Sequence, residues 1–119
     1  MFKYSMSLSN SELIITDTLI GTGKSCVKGA LIFCHYTGFL EDGTKFDSSQ
    51  DHGRAFQTVI GTGRVIKGWD QGLIGMCEGG KRKLFVPAHL AYGDRALTKI
   101  PAYSNLIFEI ELIEVRVRD

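Results

Sequence analysis

The fold is decided by the stretch LIFEIELIEVRV, which spans residues 106–117. From Phe108 to Leu112, three apolar side chains alternate with two glutamates. Because successive side chains of a β-strand point to opposite faces, this alternation predicts a strand with one buried face and one solvated face.

The alternation slips by one residue after Leu112, since Ile113, Val115 and Val117 then become the apolar set. A β-bulge near Leu112 or Ile113 would explain the slip, because a bulge inserts one extra residue into one strand of a pair. The slip could equally mark the position where the core face ends. Both explanations stay open at this point.

Further strands are predicted upstream of this stretch. The segments are rich in β-branched and aromatic residues and comprise residues 13–20, 31–39, 56–60 and 82–86. A turn is predicted at Gly21–Lys24, and the pair Asp42-Gly43 is a strong hairpin signal. We interpret Lys81-Arg82-Lys83 as the solvated face of a strand.

One segment has helical spacing. Its apolar residues recur at intervals of three and four, at Val65, Ile66, Trp69, Leu73 and Met76. It also contains three glycines, each about 1 kcal/mol less favourable than alanine inside a helix, at Gly68, Gly72 and Gly75. Such a helix needs packing to hold it, most simply against a sheet wrapped around its apolar face. The sequence therefore predicts an α+β domain with an antiparallel sheet.

Size and composition favour one domain. A chain of 119 residues with 44% hydrophobic residues has room for one compact core. We expect residues 1–11 to form a flexible arm and residues 12–119 to form the single domain. The polar amino terminus has no apolar signal region, and no stretch is long enough to span a membrane.

Charge and cysteine content narrow the class of protein. The formal net charge is +1, which provides no field for nucleic acid or acidic lipid. Three cysteines without close spacing argue against a disulfide framework and for a reducing compartment. We therefore expect a cytoplasmic protein that binds neither nucleic acid nor membrane.

Common catalytic motifs are incomplete. Gly23-Lys24-Ser25 resembles the end of a phosphate-binding loop, but the motif's first glycine is replaced by Thr18. The histidines and cysteines share no metal-ligand spacing. No cofactor or metal is expected.

What remains is an excess of aromatic residues with a few polar groups among them. Each has an ordinary explanation: the aromatic residues could be core, and Asp47-Ser48-Ser49 could be a turn whose carboxylate binds local amides. The aromatic residues in question are Tyr36, Phe46, Phe56, Trp69 and Phe108. Spacing alone indicates only a small antiparallel domain with an aromatic interior.

Several motifs, taken in order, resemble the FKBP family of peptidyl-prolyl isomerases over residues 13–115. They are CHYTG (34–38), LEDGTKFDSS (40–49), VIKGWDQG (65–72), AYG (91–93), IP (100–101) and LIFEIEL (106–112). The resemblance implies a curled antiparallel β-sheet wrapped around one short α-helix, with a pocket between them. It also implies catalysis of rotation about X–Pro bonds, without a covalent intermediate.

The resemblance also implies roles for individual residues. Tyr36, Asp47 and Tyr92 would be the catalytic residues. Substrate-binding residues would be Trp69 as the floor and, around it, Phe46, Phe56, Val65, Ile66, Ile100 and Phe108. Expected partners are proline-containing polypeptides and macrolides such as tacrolimus or rapamycin, bound by a monomer.

The chain departs from the family pattern beside this pocket. His52 stands where an arginine that bonds to the aspartate is frequent, and Lys99 stands at a commonly aliphatic position. The alternative function is a non-catalytic, FKBP-like module that binds peptides or acts as a chaperone. Since isomerisation transfers no proton, an active enzyme is expected to have nearly constant turnover between about pH 6 and 8.

Overall fold

The structure is a computed structural model that describes residues 12–117. Within this range, six strands form one antiparallel sheet in the order β1-β5-β6-β2-β3, with β4 pairing with β2 next to β3. The strands are β1 (Ile14–Leu19), β2 (Leu31–Leu40), β3 (Lys45–Ser48), β4 (Phe56–Val59), β5 (Lys81–Val86) and β6 (Leu106–Arg116). The predicted fold class is confirmed, whereas the predicted arm, residues 1–11, lies outside the described residues.

A β-bulge interrupts the long pairing of β2 with β6. Cys34 of β2 pairs with Leu112, but the preceding residue of β2 pairs two positions further along β6, which leaves Ile113 as the extra residue. The bulge explanation for the slip in the sequence pattern is thereby confirmed. Of the apolar set beyond the slip, Val115 is buried, whereas Ile113 and Val117 are exposed.

The Asp42-Gly43 pair forms the predicted hairpin turn between β2 and β3. Gly43 has a φ of 93°, a left-handed conformation that favours glycine. The backbone N–H of Leu40 donates to the carbonyl of Thr44 over 2.8 Å and closes the turn. This hairpin pairs Asp47 with Gly38 of β2.

The single α-helix of the described residues, α1 (Lys67–Gly72), is shorter than the periodic segment predicted. Ile66 is still extended, with a ψ of 151°, and Leu73 caps the other end. Gly75 then adopts a φ of 86°, which turns the chain away. No helix among residues 12–117 is long and apolar enough to cross a membrane.

Two glycines of α1 allow the helix to lie directly on β5. A Cβ atom on Gly68 would lie 2.4 Å from Cγ1 of Val86, and one on Gly72 would lie 2.9 Å from Cδ2 of Leu84. Both neighbours are fully buried. Glycine is therefore required at these positions because of helix–sheet contact, although it weakens the isolated helix.

Arg82 is buried, so the predicted solvated face of Lys81-Arg82-Lys83 is wrong at its central residue. The two lysines are exposed, but Arg82 points inward and is 8% exposed. Its Nε donates to Asp17 Oδ1 over 2.6 Å, and its Nη1 donates to the carbonyl of Gly72 over 2.8 Å. The guanidinium therefore joins the edge strand β1 to the end of α1.

The core lies between the sheet and α1 and includes two of the three cysteines. Cys26 and Cys34 are fully buried, whereas Cys77 is partly exposed. Burial raises the pKa of the Cys26 thiol to about 11 and that of the Cys34 thiol to about 12. Neither thiol is reactive at neutral pH, because the thiolate is the nucleophile.

Candidate active site

A cavity of about 270 Å³ opens between α1 and the sheet. Every residue predicted for the site lines it except Ile100, which lies within the loop before β6 and is buried in the core. The lining residues are Tyr36, Phe46, Asp47, Phe56, Arg64, Val65, Ile66, Trp69, Tyr92 and Phe108. We call this hollow the aromatic cavity.

Trp69 of α1 is the centre of the aromatic cavity. Its ring meets those of Tyr36, Phe56 and Phe108 edge to face, with centroid distances of 5.2, 5.8 and 5.4 Å. Edge-to-face contacts at these distances are favourable for aromatic pairs and fix the ring orientations. The Trp69 Nε1–H is buried and has no hydrogen-bond partner among the described residues.

Asp47 supplies the carboxylate at the edge of the aromatic cavity. The Tyr36 hydroxyl donates to its Oδ2 over 2.6 Å, and the Ser48 amide donates to its Oδ1 over 2.8 Å. His52 Nε2 lies 3.0 Å from the same Oδ1. His52 thus takes the place of the arginine expected beside this aspartate.

These contacts set the charge state of the polar edge. Burial works to raise the pKa of Asp47, but the hydrogen bonds from Tyr36, His52 and the Ser48 amide together hold it below its ordinary value. Burial and the hydrogen bond to Asp47 raise the pKa of Tyr36. At neutral pH the carboxylate is therefore charged and the phenol keeps its proton.

Ser49 holds the backbone of Tyr36 in place through a hydrogen bond. The sequence did not identify it as a supporting residue. Ser49 is buried at the start of the 3-10 turn Ser49–His52, which lies between β3 and β4 in the chain. Its Oγ accepts the backbone N–H of Tyr36 over 2.9 Å and lies 2.9 Å from Nδ1 of His35. No sequence signal marks this role, since the serine and Tyr36 are far apart along the chain.

Tyr92 lines the cavity from the loop that follows the 3-10 turn Ala88–Leu90. Burial and the charge of Asp47 raise its pKa, and Arg95 opposes them. Its hydroxyl has no hydrogen-bond partner within residues 12–117, so it is available as a donor to a bound carbonyl. Arg64, which also lines the cavity, is the member that the sequence analysis missed.

Two larger hollows are less suited to an apolar ligand. One of about 420 Å³ lies against the charged outer face of the sheet, beside Lys81, Lys83, Glu109 and Glu111. Another of about 550 Å³ adjoins the aromatic cavity, shares Tyr36 and Phe56 with it, and is otherwise mainly polar. In the part of the chain described, no three His, Cys, Asp or Glu side chains are grouped as a metal site requires.

A curled antiparallel sheet around one short helix, with an aromatic cavity between them, defines the FKBP class of folds. The sequence model of the FKBP-type peptidyl-prolyl cis-trans isomerases matches residues 23–113. The chain therefore belongs to this family and is a peptidyl-prolyl cis-trans isomerase.

Relatives in several organisms share most of the chain. The FK506-binding protein of Neisseria meningitidis is 55% identical over 105 residues, which cover 87% of this chain and 96% of that protein. Mouse peptidyl-prolyl cis-trans isomerase FKBP2 is 56% identical over 92 residues, which cover 76% of this chain and 66% of that protein.

Solved structures share the fold. The crystal structure of AtFKBP13 superimposes with a TM-score of 0.82 at 44% identity, covering 88% of this chain and 93% of that chain. The crystal structure of FkpA from Escherichia coli gives a TM-score of 0.81 at 31% identity, covering 96% of this chain and 56% of that chain.

Proposed function

We propose that the aromatic cavity holds the prolyl ring of a polypeptide substrate and that rotation of the preceding peptide bond takes place there. The observation that carries this proposal is the position of Trp69, whose indole forms the floor of an open, aromatic-walled cavity and is itself only 4% exposed. A compact apolar ring such as the pyrrolidine of proline fits a floor of this kind.

The physical basis of catalysis is the change in polarity during rotation. Amide resonance opposes the rotation with a barrier of about 18–20 kcal/mol. Halfway round, the C–N double-bond character is lost and the amide dipole shrinks. A site poor in water and polar groups therefore disfavours the planar ground state more than the twisted state, which is the differential binding that catalysis requires.

The size of the effect is compatible with such a site. A rate gain of roughly 10⁴ to 10⁶ requires about 5–8 kcal/mol. Desolvation of the amide, contacts with the prolyl ring and a small number of oriented polar groups share this free energy. No cofactor takes part in the proposed reaction.

Two polar groups of the cavity lining, the Tyr92 hydroxyl and the Asp47 carboxylate, have separate parts in the proposed mechanism. The Tyr92 hydroxyl donates a hydrogen bond to a substrate carbonyl and fixes the orientation of the peptide. Asp47 either faces the twisted carbonyl group directly or acts by ordering Tyr36. The remaining proposed substrate contacts come from Phe46, Phe56, Val65, Ile66 and Phe108, with Ile100 supporting them from the core.

Replacing Tyr92 by phenylalanine tests the proposed site. Loss of one substrate hydrogen bond is expected to lower kcat/KM about 5- to 10-fold, since such a bond contributes about 1–1.5 kcal/mol. The measurement is isomerisation of a proline tetrapeptide, with Tyr103→Phe as the matched control because Tyr103 is exposed and lies outside the cavity. Equal activity of the Tyr92 variant and the unmodified protein would remove this role from Tyr92.

The pH dependence follows from the charge states of the three polar residues. The pKa of Asp47 is lowered, and the pKa values of Tyr36 and Tyr92 are raised. None of the three therefore changes its protonation between about pH 6 and 8, and kcat/KM is expected to stay constant within about twofold. A bell-shaped profile that persists in His52→Gln would contradict the mechanism. Ionised Asp47 also contributes to the free energy of unfolding, and this contribution is lost only as pH falls through the lowered pKa of Asp47.

The alternative of a non-catalytic peptide-binding module is distinguished by the same assay. Such a module would bind proline peptides and quench or shift the fluorescence of Trp69, the single tryptophan, without accelerating isomerisation. Family membership and the complete set of polar groups in the cavity favour the active enzyme.

We further propose that macrolides such as tacrolimus and rapamycin compete with proline peptides for the aromatic cavity. The name FK506-binding protein, carried by the Neisseria relative, supports this ligand class. Because one chain supplies every lining residue, a monomer is sufficient for activity. The free state of all three cysteines supports a cytoplasmic location.

A further inference from the structure

We propose that Arg54, Arg64 and Arg95, which we call the arginine rim, select substrates that carry an acidic residue directly before or after the proline. This inference rests on the proposed function of the aromatic cavity and adds the class of substrate to it. The rim residues come from three separate segments: the residues before β4, the loop between β4 and α1, and the loop after β5.

Each member of the arginine rim lies at the aromatic cavity or beside it. Arg64 lines the cavity itself. Arg54 lines the adjoining hollow, which shares Tyr36 and Phe56 with the cavity. The guanidinium carbon of Arg95 lies 6.0 Å from the centroid of the Tyr92 ring. A peptide whose proline occupies the cavity would therefore have its neighbouring residues within reach of these cations.

Pairing distinguishes the arginine rim from the other arginines. Five arginines lie within residues 12–117, and two of them, Arg82 and Arg116, form ion pairs with carboxylates of the chain. None of the three rim arginines has a carboxylate within 4 Å in this range, and all three are exposed. The unpaired guanidinium groups are thus concentrated at the site, although the formal net charge of the whole chain is only +1.

Little negative charge opposes the rim. Among residues 12–117, Asp47 is the one carboxylate that lines the aromatic cavity, and its oxygens are already engaged by Tyr36, the Ser48 amide and His52. Asp94 precedes Arg95 in the chain and is exposed. Asp70 accepts the backbone N–H groups of Gly61 and Gly63 beside Arg64, and Asp51 pairs with Lys45, but neither carboxylate lines the cavity. The lining of the cavity and of the adjoining hollow therefore sets two arginines, Arg54 and Arg64, against the single carboxylate of Asp47 among residues 12–117.

An acidic side chain is the natural complement of this arrangement. Consecutive Cα atoms are about 3.8 Å apart, so residues on either side of the proline lie at the cavity mouth. Guanidinium groups bind carboxylates through paired hydrogen bonds. One exposed ion pair contributes little, but several charges of one sign around apolar walls attract an opposite charge together. We expect kcat/KM for a glutamate peptide to exceed that for its glutamine isostere about 3- to 10-fold.

The test compares tetrapeptides with glutamate, glutamine or lysine before the proline, and a second set with the same three residues after it. We expect kcat/KM to be highest for the glutamate peptide and lowest for the lysine peptide in at least one of the two sets. The difference collapses when ionic strength rises from about 0.01 M to 1 M, because the Debye length falls from about 30 Å to 3 Å. Equal kcat/KM for glutamate and glutamine in both sets at low salt would overturn the proposal.

Variants assign the effect to the rim. In the triple variant Arg54→Gln, Arg64→Gln and Arg95→Gln, the glutamate-to-glutamine ratio is expected to fall to about one. Arg116→Gln is the control with one lost charge, since Arg116 lies on β6 and pairs with Glu114 away from the cavity. The glutamate-to-glutamine ratio of kcat/KM is expected to stay unchanged in this variant. A ratio that survives in the triple variant would refute the role of these arginines.

Binding separates this inference from the proposed function. If no peptide is isomerised, the proposed catalytic function fails, but titration of Trp69 fluorescence with glutamate and glutamine peptides still measures the preference. If glutamine peptides are isomerised and bound as well as glutamate peptides, the proposed function stands and the selection by charge is refuted.

Discussion

Replacing Asp47 by valine is expected to lower kcat/KM for proline isomerisation by about 10- to 100-fold. In the described part of the chain, this carboxylate is the one negative charge that lines the aromatic cavity, and three hydrogen bonds hold it in place. Removal of one preorganised polar group that stabilises a transition state, such as a hydrogen-bond donor to an oxyanion, typically lowers kcat 100-fold or more. A smaller loss is expected here because 40% of the Asp47 side chain is exposed to water.

Comparison with Tyr36→Phe decides how Asp47 acts. The Asp47 carboxylate accepts a hydrogen bond from the Tyr36 hydroxyl over 2.6 Å. If it acts only by ordering this hydroxyl, then Asp47→Val, Tyr36→Phe and the double variant lose the same fraction of kcat/KM. If Asp47 faces the twisted carbonyl group directly, Asp47→Val loses more than Tyr36→Phe.

The measurement is kcat/KM for a tetrapeptide, with urea denaturation to establish that each variant is folded. Asp51→Val is the control, since Asp51 belongs to the same 3-10 turn region but pairs with Lys45 outside the cavity. Full activity of Asp47→Val would refute any catalytic part for this residue.

Replacing Asp17 by alanine is expected to lower the free energy of unfolding by about 2–4 kcal/mol, because it leaves the buried Arg82 guanidinium without its counter-charge. The side chain of Arg82 is 9% exposed and that of Asp17 is 30% exposed, so water replaces the lost carboxylate only in part. A loss of this size shifts the melting temperature of a domain of this length by roughly 10 °C.

Two further variants distinguish this ion pair from a general effect of charge. Arg82→Met is expected to be destabilised by about 2–3 kcal/mol, since the carbonyls of Gly72 and Ile74 lose their donor. Lys83→Met removes the same charge from the next residue, which is exposed, and is expected to change stability by less than about 0.5 kcal/mol. Urea denaturation measures the free energy of unfolding of Asp17→Ala, Arg82→Met and Lys83→Met. Equal stability of Asp17→Ala and the unmodified protein would show that the pair does not hold β1 to α1.

The strands and their turns could be predicted because their signals are local. Alternation along residues 106–117 predicted β6, and Asp42-Gly43 predicted the hairpin. The slip after Leu112 left a bulge and the end of the core face as equal explanations, and only the pairing with β2 decided for the bulge. The membership of the aromatic cavity was predicted from resemblance to a family, since residues from β2, β3, α1 and later loops meet there only through the fold.

The failures arise where tertiary contacts override local pattern. The helix is shorter than its apolar spacing because Gly75 adopts a left-handed conformation, and its internal glycines are required by contact with β5. Arg82 in a basic run gives no local sign that it will cap a helix end. Arg64 was missed because a surface arginine has no pattern until the loop that carries it is placed beside the cavity.

The unequal burial of the three thiols gives the protein one natural attachment point for a reporter group. Maleimide reagents would modify Cys77 and spare Cys26 and Cys34, whose sulfurs are shielded and protonated. Cys77 does not line the aromatic cavity. A fluorophore placed there would follow peptide capture by anisotropy, without any engineered cysteine and without altering a single group that touches the ligand.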